Sequence, residues 1–124
     1  CLIVEDSEFD SQRMARIVRK ARAHMPIRRA TTLQEARTAL DSGGIALMRL
    51  DNNLPDGLGA DFVLDLAKDP QNPQIPTLLI SDWPSPFMWQ KAASAGVSFV
   101  LNKQDFGVTH VISALEINPQ HNVI

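Results

Sequence analysis

The sequence predicts an α/β fold: a doubly wound parallel sheet with helices on both faces. Two observations carry this. Five short apolar runs recur along the chain: Leu2-Ile3-Val4, Ile27 to Ala30, Ile45 to Leu50, Thr77 to Ile80 and Phe99-Val100-Leu101. Three of them are nearly continuous rather than alternating, as expected of strands buried on both faces. Between them lie longer amphipathic stretches, and β-α alternation of this kind specifies a parallel sheet with right-handed crossovers.

Each helix has its own local signal. Met14, Ile17, Val18 and Ala21 fall at i, i+3, i+4 and i+7, one apolar stripe. Thr32 to Glu35 reads as a capping box ahead of Leu33, Ala36 and Leu40, and Gly43-Gly44 ends that helix. Ala60 to Lys68 is a shorter helix closed by the loop Asp69-Pro70-Gln71-Asn72-Pro73. Ser85 is the expected N-cap of the next helix, with Pro86 at its first position, Met88, Ala92 and Ala95 on its stripe and Gly96 at its end. Val108, Val111, Ile112 and Leu115 form the last stripe, with Pro119 and the tail outside it.

At 124 residues the chain is expected to be one domain, residues 1–124, with its core over about 2–116 and residues 117–124 as a tail or the start of a linker. Apolar residues are 44% and charged residues 21%, an ordinary globular balance that excludes a disordered, collagen-like or coiled-coil chain. The single cysteine, Cys1, excludes a disulfide framework or a cysteine zinc site. No apolar run approaches the length of a membrane span, so no membrane association and a cytoplasmic location are expected. The chain opens on Cys1 without an initiator Met and is expected to be a piece of a longer protein.

The net charge of −2 is unevenly spread. Residues 1–50 hold nine Lys/Arg against six Asp/Glu, and residues 51–124 hold three against eight. A nucleic-acid binder is normally basic overall, so direct nucleic-acid binding is not expected. The basic row Arg13, Arg16, Arg19, Lys20 and Arg22 reads first as the solvated face of the first helix and second as a docking surface for an acidic partner. Trp83, Phe87 and Trp89 cluster around the fourth helix, either as core or as an apolar surface patch.

In an open α/β sheet the ligand site lies beyond the carboxyl ends of the strands. There the chain places Glu5-Asp6 after the first run, Asp51 and Asn52-Asn53-Leu54-Pro55-Asp56-Gly57 after the third, Ser81-Asp82 after the fourth, and Asn102-Lys103 after the fifth. Clustered carboxylates repel one another unless a cation sits among them, and an all-oxygen ligand set suits Mg²⁺. A lone Lys and a Ser hydroxyl facing such a site suit a phosphoryl group, and a carboxylate can itself be the nucleophile that accepts it. Pro55-Asp56-Gly57 is turn chemistry that returns backbone groups near Asn53 toward the metal. A flavin or metabolic enzyme on the same fold needs a Gly-, Ser- or Thr-rich phosphate loop after the first strand, whereas this chain has Glu5-Asp6-Ser7-Glu8.

These residues resemble the receiver domain of bacterial two-component response regulators. The likeness rests on Glu5-Asp6, the segment Leu50 to Gly59 around Asp51, Ser81, Lys103, and Ala30 to Leu40 with Glu35-Ala36 inside it. It covers Leu2 to about Leu115. It implies a flavodoxin-like receiver fold with strand order 2-1-3-4-5. It also implies a phosphoacceptor, Asp51, that takes its phosphoryl group from a phosphohistidine on a histidine kinase or phosphotransfer protein. Mg²⁺ would be held by Glu5, Asp6, Asp51 and the Asn53 backbone carbonyl, with Ser81 and Lys103 contacting the phosphoryl group. Such a domain is no conventional enzyme: it catalyses its own phosphotransfer and dephosphorylation. Its output face would be the fourth helix, fifth strand and fifth helix, which can also form a homodimer.

Four positions depart from the family's pattern. Asp82 stands where the family has a small residue, and its charge is expected to slow phosphorylation roughly tenfold, from ~1.4 kcal/mol of residual repulsion. Val100 stands in place of a switching aromatic, Gln104 in place of Pro, and Arg49 lies in a strand that should be buried, where a charge needs a partner. These departures motivate the alternative of a pseudo-receiver, a phosphorylation-independent protein-interaction module.

Overall fold

The computed structural model describes residues 1–71 and 74–116. Asn72 and Pro73 of the predicted loop, and Pro119 with the tail, lie outside the described residues. The element order is β1 (Leu2–Val4), α1 (Glu8–Ala21), β2 (Arg28–Ala30), α2 (Leu33–Asp41), β3 (Met48–Asp51), β4 (Asn53–Leu54), β5 (Gly57–Leu58), α3 (Gly59–Lys68), β6 (Thr77–Ser81), α4 (Pro86–Ser94), β7 (Phe99–Asn102) and α5 (Val108–Glu116). Five parallel strands form the main sheet in the order β2-β1-β3-β6-β7. This is the predicted 2-1-3-4-5 order once the small antiparallel ribbon β4–β5 is set aside.

Alternation along the strands divides the core into two layers. Leu2, Val4, Met48, Leu50, Leu79 and Val100 face a layer with Ala36 and Leu40 of α2, Phe62 and Val63 of α3, and Met88 and Ala92 of α4. Ile3, Leu78 and Ile80 face the other layer, with Met14 and Val18 of α1, and Val111 and Ala114 of α5. Phe99 joins this second layer while its neighbour Val100 joins the first, as the two-residue period dictates. The central strands β1, β3 and β6 are fully buried, which is why their sequence runs show no polar alternation.

Local chemistry sets the helix starts. Ser7, Thr32 and Ser85 cap α1, α2 and α4, each accepting a backbone N–H three residues on. The box on α2 is displaced by one residue: Glu35 accepts the backbone N–H and hydroxyl of Thr31 in place of the Thr32 backbone N–H. Asp56, in the β4–β5 turn, caps α2 a second time by accepting the N–H groups of Leu33 (2.8 Å) and Gln34 (3.0 Å). Helix α3 begins at Gly59 with no cap from its own N-cap residue, Leu58. The side chain of Asn52 supplies one instead, its Oδ1 accepting from the Ala60 N–H at 2.9 Å.

Candidate functional site

The carboxyl ends of β1, β3, β6 and β7 meet at one edge of the sheet. Asp51 is the last residue of β3, paired in register with Ile80, so Ser81 at the end of β6 lies one step further along the neighbouring strand. The next register pair is Ser81 with Asn102, and the Lys103 N–H donates to the Ser81 carbonyl at 3.0 Å. Because the strands are parallel and in register, their carboxyl ends carry the predicted residues to a common crevice.

Carboxylate oxygens of Glu5, Asp6 and Asp51 lie within 4.8 Å of one another. Glu5 and Asp51 are buried, and Asp6 is exposed at the mouth. Burial and then the adjacent Glu5 push the Asp51 carboxyl up to about 7. Burial also opposes the charge on Glu5, yet its contacts with Asp51 and Lys103 and the nearby Arg49 guanidinium hold Glu5 below its ordinary value. The donor set is hard oxygen on converging side chains and fits a small divalent cation. Asn53 opens β4, two residues past Asp51.

Lys103 reaches into this crevice. Its Nζ lies 3.0 Å from Glu5 Oε1 and 2.9 Å from Asp10 Oδ2. Burial alone would lower the ammonium's pKa, but its contacts with Asp10 and Glu5 carry it above its ordinary value. No motif in the sequence singles out Asp10; its one signal is its position, in the first turn of the helix that follows Glu5-Asp6.

Ser81 is buried, and its Oγ accepts the Trp83 N–H at 3.1 Å, which leaves the hydroxyl proton free to donate. Asp82 is exposed, and its backbone carbonyl accepts from the Asn102 side chain at 3.1 Å. The Oδ1 of the same Asn102 accepts the Gln104 N–H at 3.0 Å, so one side chain ties the loop after β6 to the loop after β7. Gln104 in place of Pro thus supplies a donor that Pro lacks. Val100 is buried in the first core layer.

Gly59 supports Asp51 from behind. Its N–H donates to the Asn52 carbonyl at 2.8 Å, and a Cβ built on it would lie 2.6 Å from the Asp51 carbonyl oxygen. Only a residue without a Cβ lets α3 approach the end of β3 this closely.

Arg49 is completely buried, with its Nη1 3.5 Å from Glu5 Oε1 and its guanidinium carbon 5.9 Å from the centre of the Phe106 ring. Its three nitrogens meet no acceptor in hydrogen-bonding geometry among the described residues. The two Glu5 carboxylate oxygens likewise meet no donor in that geometry, so Glu5 is held by charge at ion-pair distance.

The aromatics around α4 are surface, not core: Trp83 is 88% exposed, Phe87 75% and Trp89 53%. Arg16, Arg19, Lys20 and Arg22 lie at the surface with Arg13, and among the described residues no ion pair involves them.

The comparisons with known proteins establish the family and the fold. The family model of the response regulator receiver domain matches residues 1–116, and the chain belongs to that family. A two-component response regulator from Legionella pneumophila has the same fold, with 21% identity, 96% of each chain covered and a TM-score of 0.77. A CheY-like receiver domain protein from Methanospirillum hungatei JF-1 superposes with a TM-score of 0.81 at 16% identity, over 97% of this chain and 95% of the other. A response regulator from Burkholderia pseudomallei, solved with a phosphorylated aspartic acid, a calcium ion and citrate, matches at 20% identity. That match has a TM-score of 0.77 and covers 98% of this chain and 68% of the other. A comparison with curated protein sequences returned no match. Among the described residues no helix is long and apolar enough to cross a membrane.

Proposed function

We propose that this receiver domain is a phosphorylation switch in which Asp51 accepts a phosphoryl group from a phosphohistidine on a histidine kinase or phosphotransfer protein. The observation that carries this reading is the convergence of Asp51 with Glu5 and Asp6, with Ser81 and Lys103 at the adjoining strand ends. An Asp51 carboxylate oxygen attacks phosphorus, an O–P bond forms, the P–N bond breaks, and the histidine nitrogen leaves with the electron pair. Ser81 donates its free hydroxyl proton to a phosphoryl oxygen. Lys103, held at the crevice by Glu5 and Asp10, offsets the charge carried by the transferred group. Glu5, Asp6, Asp51 and the Asn53 carbonyl are the residues that would hold Mg²⁺, which when bound neutralises charge on the phosphoryl oxygens.

The test uses acetyl phosphate with MgCl₂, read by intact-mass spectrometry. One phosphoryl group is expected on the wild type and none on Asp51→Asn. A wild type that stays unmodified even with a phosphohistidine donor supports the phosphorylation-independent reading, which the pairing of Glu5 with both Arg49 and Lys103 favours. Output through α4, β7 and α5, including self-association of that face, belongs to the same proposal. The exposed Phe87 and Trp89 on α4 supply it with apolar surface. Light scattering before and after phosphorylation reads that step.

A further inference from the structure

Three facts set Arg49 apart from the rest of the core. It is the largest fully buried side chain among the described residues. It stands in the middle of β3, between Ile3 of β1 and Leu78 of β6, where its register neighbours are aliphatic. Its head group reaches Glu5 at 3.5 Å and lies over Phe106, yet none of its nitrogens makes a hydrogen bond among the described residues. A buried guanidinium with no fixed hydrogen-bond partner is costly unless a buried charge answers it. The groups that answer it are Glu5 first, then Asp51 and Asp10, all members of the acidic crevice or its border. Arg49 therefore approaches the crevice from the core, within the layer between the sheet and helices α1 and α5, whereas Lys103 approaches from its rim and remains partly exposed.

We propose that Arg49 is a built-in counter-cation of the acidic crevice: it holds Glu5 when no metal is bound, and it weakens divalent-metal binding by placing a permanent positive charge under the site. The inference rests on the metal-site reading of Glu5, Asp6 and Asp51. A side chain that water cannot reach cannot move aside into solvent, so its charge acts on any ion in the crevice with little screening. One unit charge beside a divalent ion in such a pocket is worth at least about tenfold in affinity. The same charge offsets the burial of the Glu5 carboxylate.

The experiment is calorimetric titration with MgCl₂ of wild type, Arg49→Gln, Arg49→Lys and Asp6→Asn, with thermal melts of each in EDTA and in saturating MgCl₂. Arg49→Gln is expected to bind Mg²⁺ at least about tenfold more tightly than wild type. It should melt lower in EDTA and gain more from MgCl₂ than wild type does. Arg49→Lys keeps the charge and should stay within about threefold of wild type. Equal or weaker Mg²⁺ binding by a folded Arg49→Gln overturns the proposal. If Arg49→Gln is unfolded in EDTA, refolding on addition of MgCl₂ supports it, because the metal then replaces the guanidinium. Failure to refold in saturating MgCl₂ overturns it. Asp6→Asn should lose the binding heat; if it binds as wild type does, the metal-site reading fails and this inference falls with it.

Discussion

Lys103 and Asp10 pair at 2.9 Å across 93 residues of sequence, so the strand-end lysine of the crevice is anchored to the first turn of α1 as well as to Glu5. The two anchors differ in worth. Asp10 is partly exposed, and pairs of that kind contribute at most about 1 kcal/mol. Glu5 is buried, and removing the closest cation from a buried carboxylate is far more costly. Lys103→Met is therefore expected to lower stability by about 2 kcal/mol, with Arg49 retaining part of the compensation. Asp10→Asn should cost less than about 1 kcal/mol. Urea unfolding at neutral pH in EDTA measures both, and equal losses would show that Glu5 does not depend on Lys103.

Gly59 presents two opposed expectations. In the first turn of a helix, Gly→Ala by itself favours helix by about 1 kcal/mol. Here the new Cβ would lie 2.6 Å from the Asp51 carbonyl oxygen, a backbone atom that cannot swing away. The clash wins: Gly59→Ala is expected to destabilise by about 2 kcal/mol and to slow phosphorylation of Asp51, because α3 must draw back from the end of β3. Denaturation and acetyl-phosphate labelling of the same preparation check this. A variant as stable as wild type would mean that the two elements already stand further apart.

How much of this is written in the sequence follows from the range of each interaction. Strand identity, helix stripes and the Ser85-Pro86 start depend on neighbours a few residues apart. The five strands and the Ser85 cap agree with the structure, whereas α5 buries Val111 and Ala114 with Leu115 packed beside them, so its inward face is turned away from the predicted Val108 and Ile112. The positions of Glu5, Asp6, Asp51, Ser81 and Lys103 at one edge follow from strand polarity alone. What the sequence hides depends on contacts between distant segments. Asn52 caps α3 from eight residues away, and Asp56 caps α2 from more than twenty. The partner of Arg49 is a carboxylate on another strand end, and Asp10 meets Lys103 only after α1 folds back along the sheet. The surface position of Trp83, Phe87 and Trp89 is not legible either, because α4 has only a narrow buried stripe, Met88 and Ala92. The β4–β5 ribbon is two residues per strand, too short for any periodicity to register.

The start of α2 should be acid-sensitive. Hydrogen bonds from the Leu33 and Gln34 backbone hold Asp56 below its ordinary carboxylate value. The Thr31 hydroxyl and N–H do the same for Glu35. A lowered native pKa means that the stabilisation is present above the unfolded values, 3.8 for Asp56 and 4.5 for Glu35, and is lost as pH falls through the native ones. Asp56→Ala is expected to melt below wild type at neutral pH, and the gap to close as pH falls below 3.8 and through the lowered native value. A gap between the two melting curves that persists in acid would assign the effect to the turn itself and not to the carboxylate cap.

Asp51 should give the opposite pH dependence. Burial, then the adjoining Glu5, raises its carboxyl from 3.8 to about 7 in the native protein. The folded state therefore binds this proton more tightly than the unfolded chain does. Stability contributed through Asp51 is greatest below about pH 4 and declines as pH rises toward about 7, where the native group finally ionises. Each tenfold gain in proton affinity corresponds to about 1.4 kcal/mol, and sharing of the proton with Glu5 reduces the effect at Asp51 alone. In EDTA, Asp51→Asn is expected to abolish the decline between about pH 4 and about pH 7. At about pH 8 the variant should exceed wild type by roughly 2 kcal/mol. The variant keeps the shape of the side chain and removes only the charge, so packing is held constant. Guanidinium unfolding across this pH range, with Asp41→Asn at the exposed end of α2 as a control outside the crevice, measures the slope. A wild type whose stability rises over the same window would mean that Lys103 and Arg49 hold Asp51 ionised throughout, leaving no proton to displace when the crevice takes up a cation.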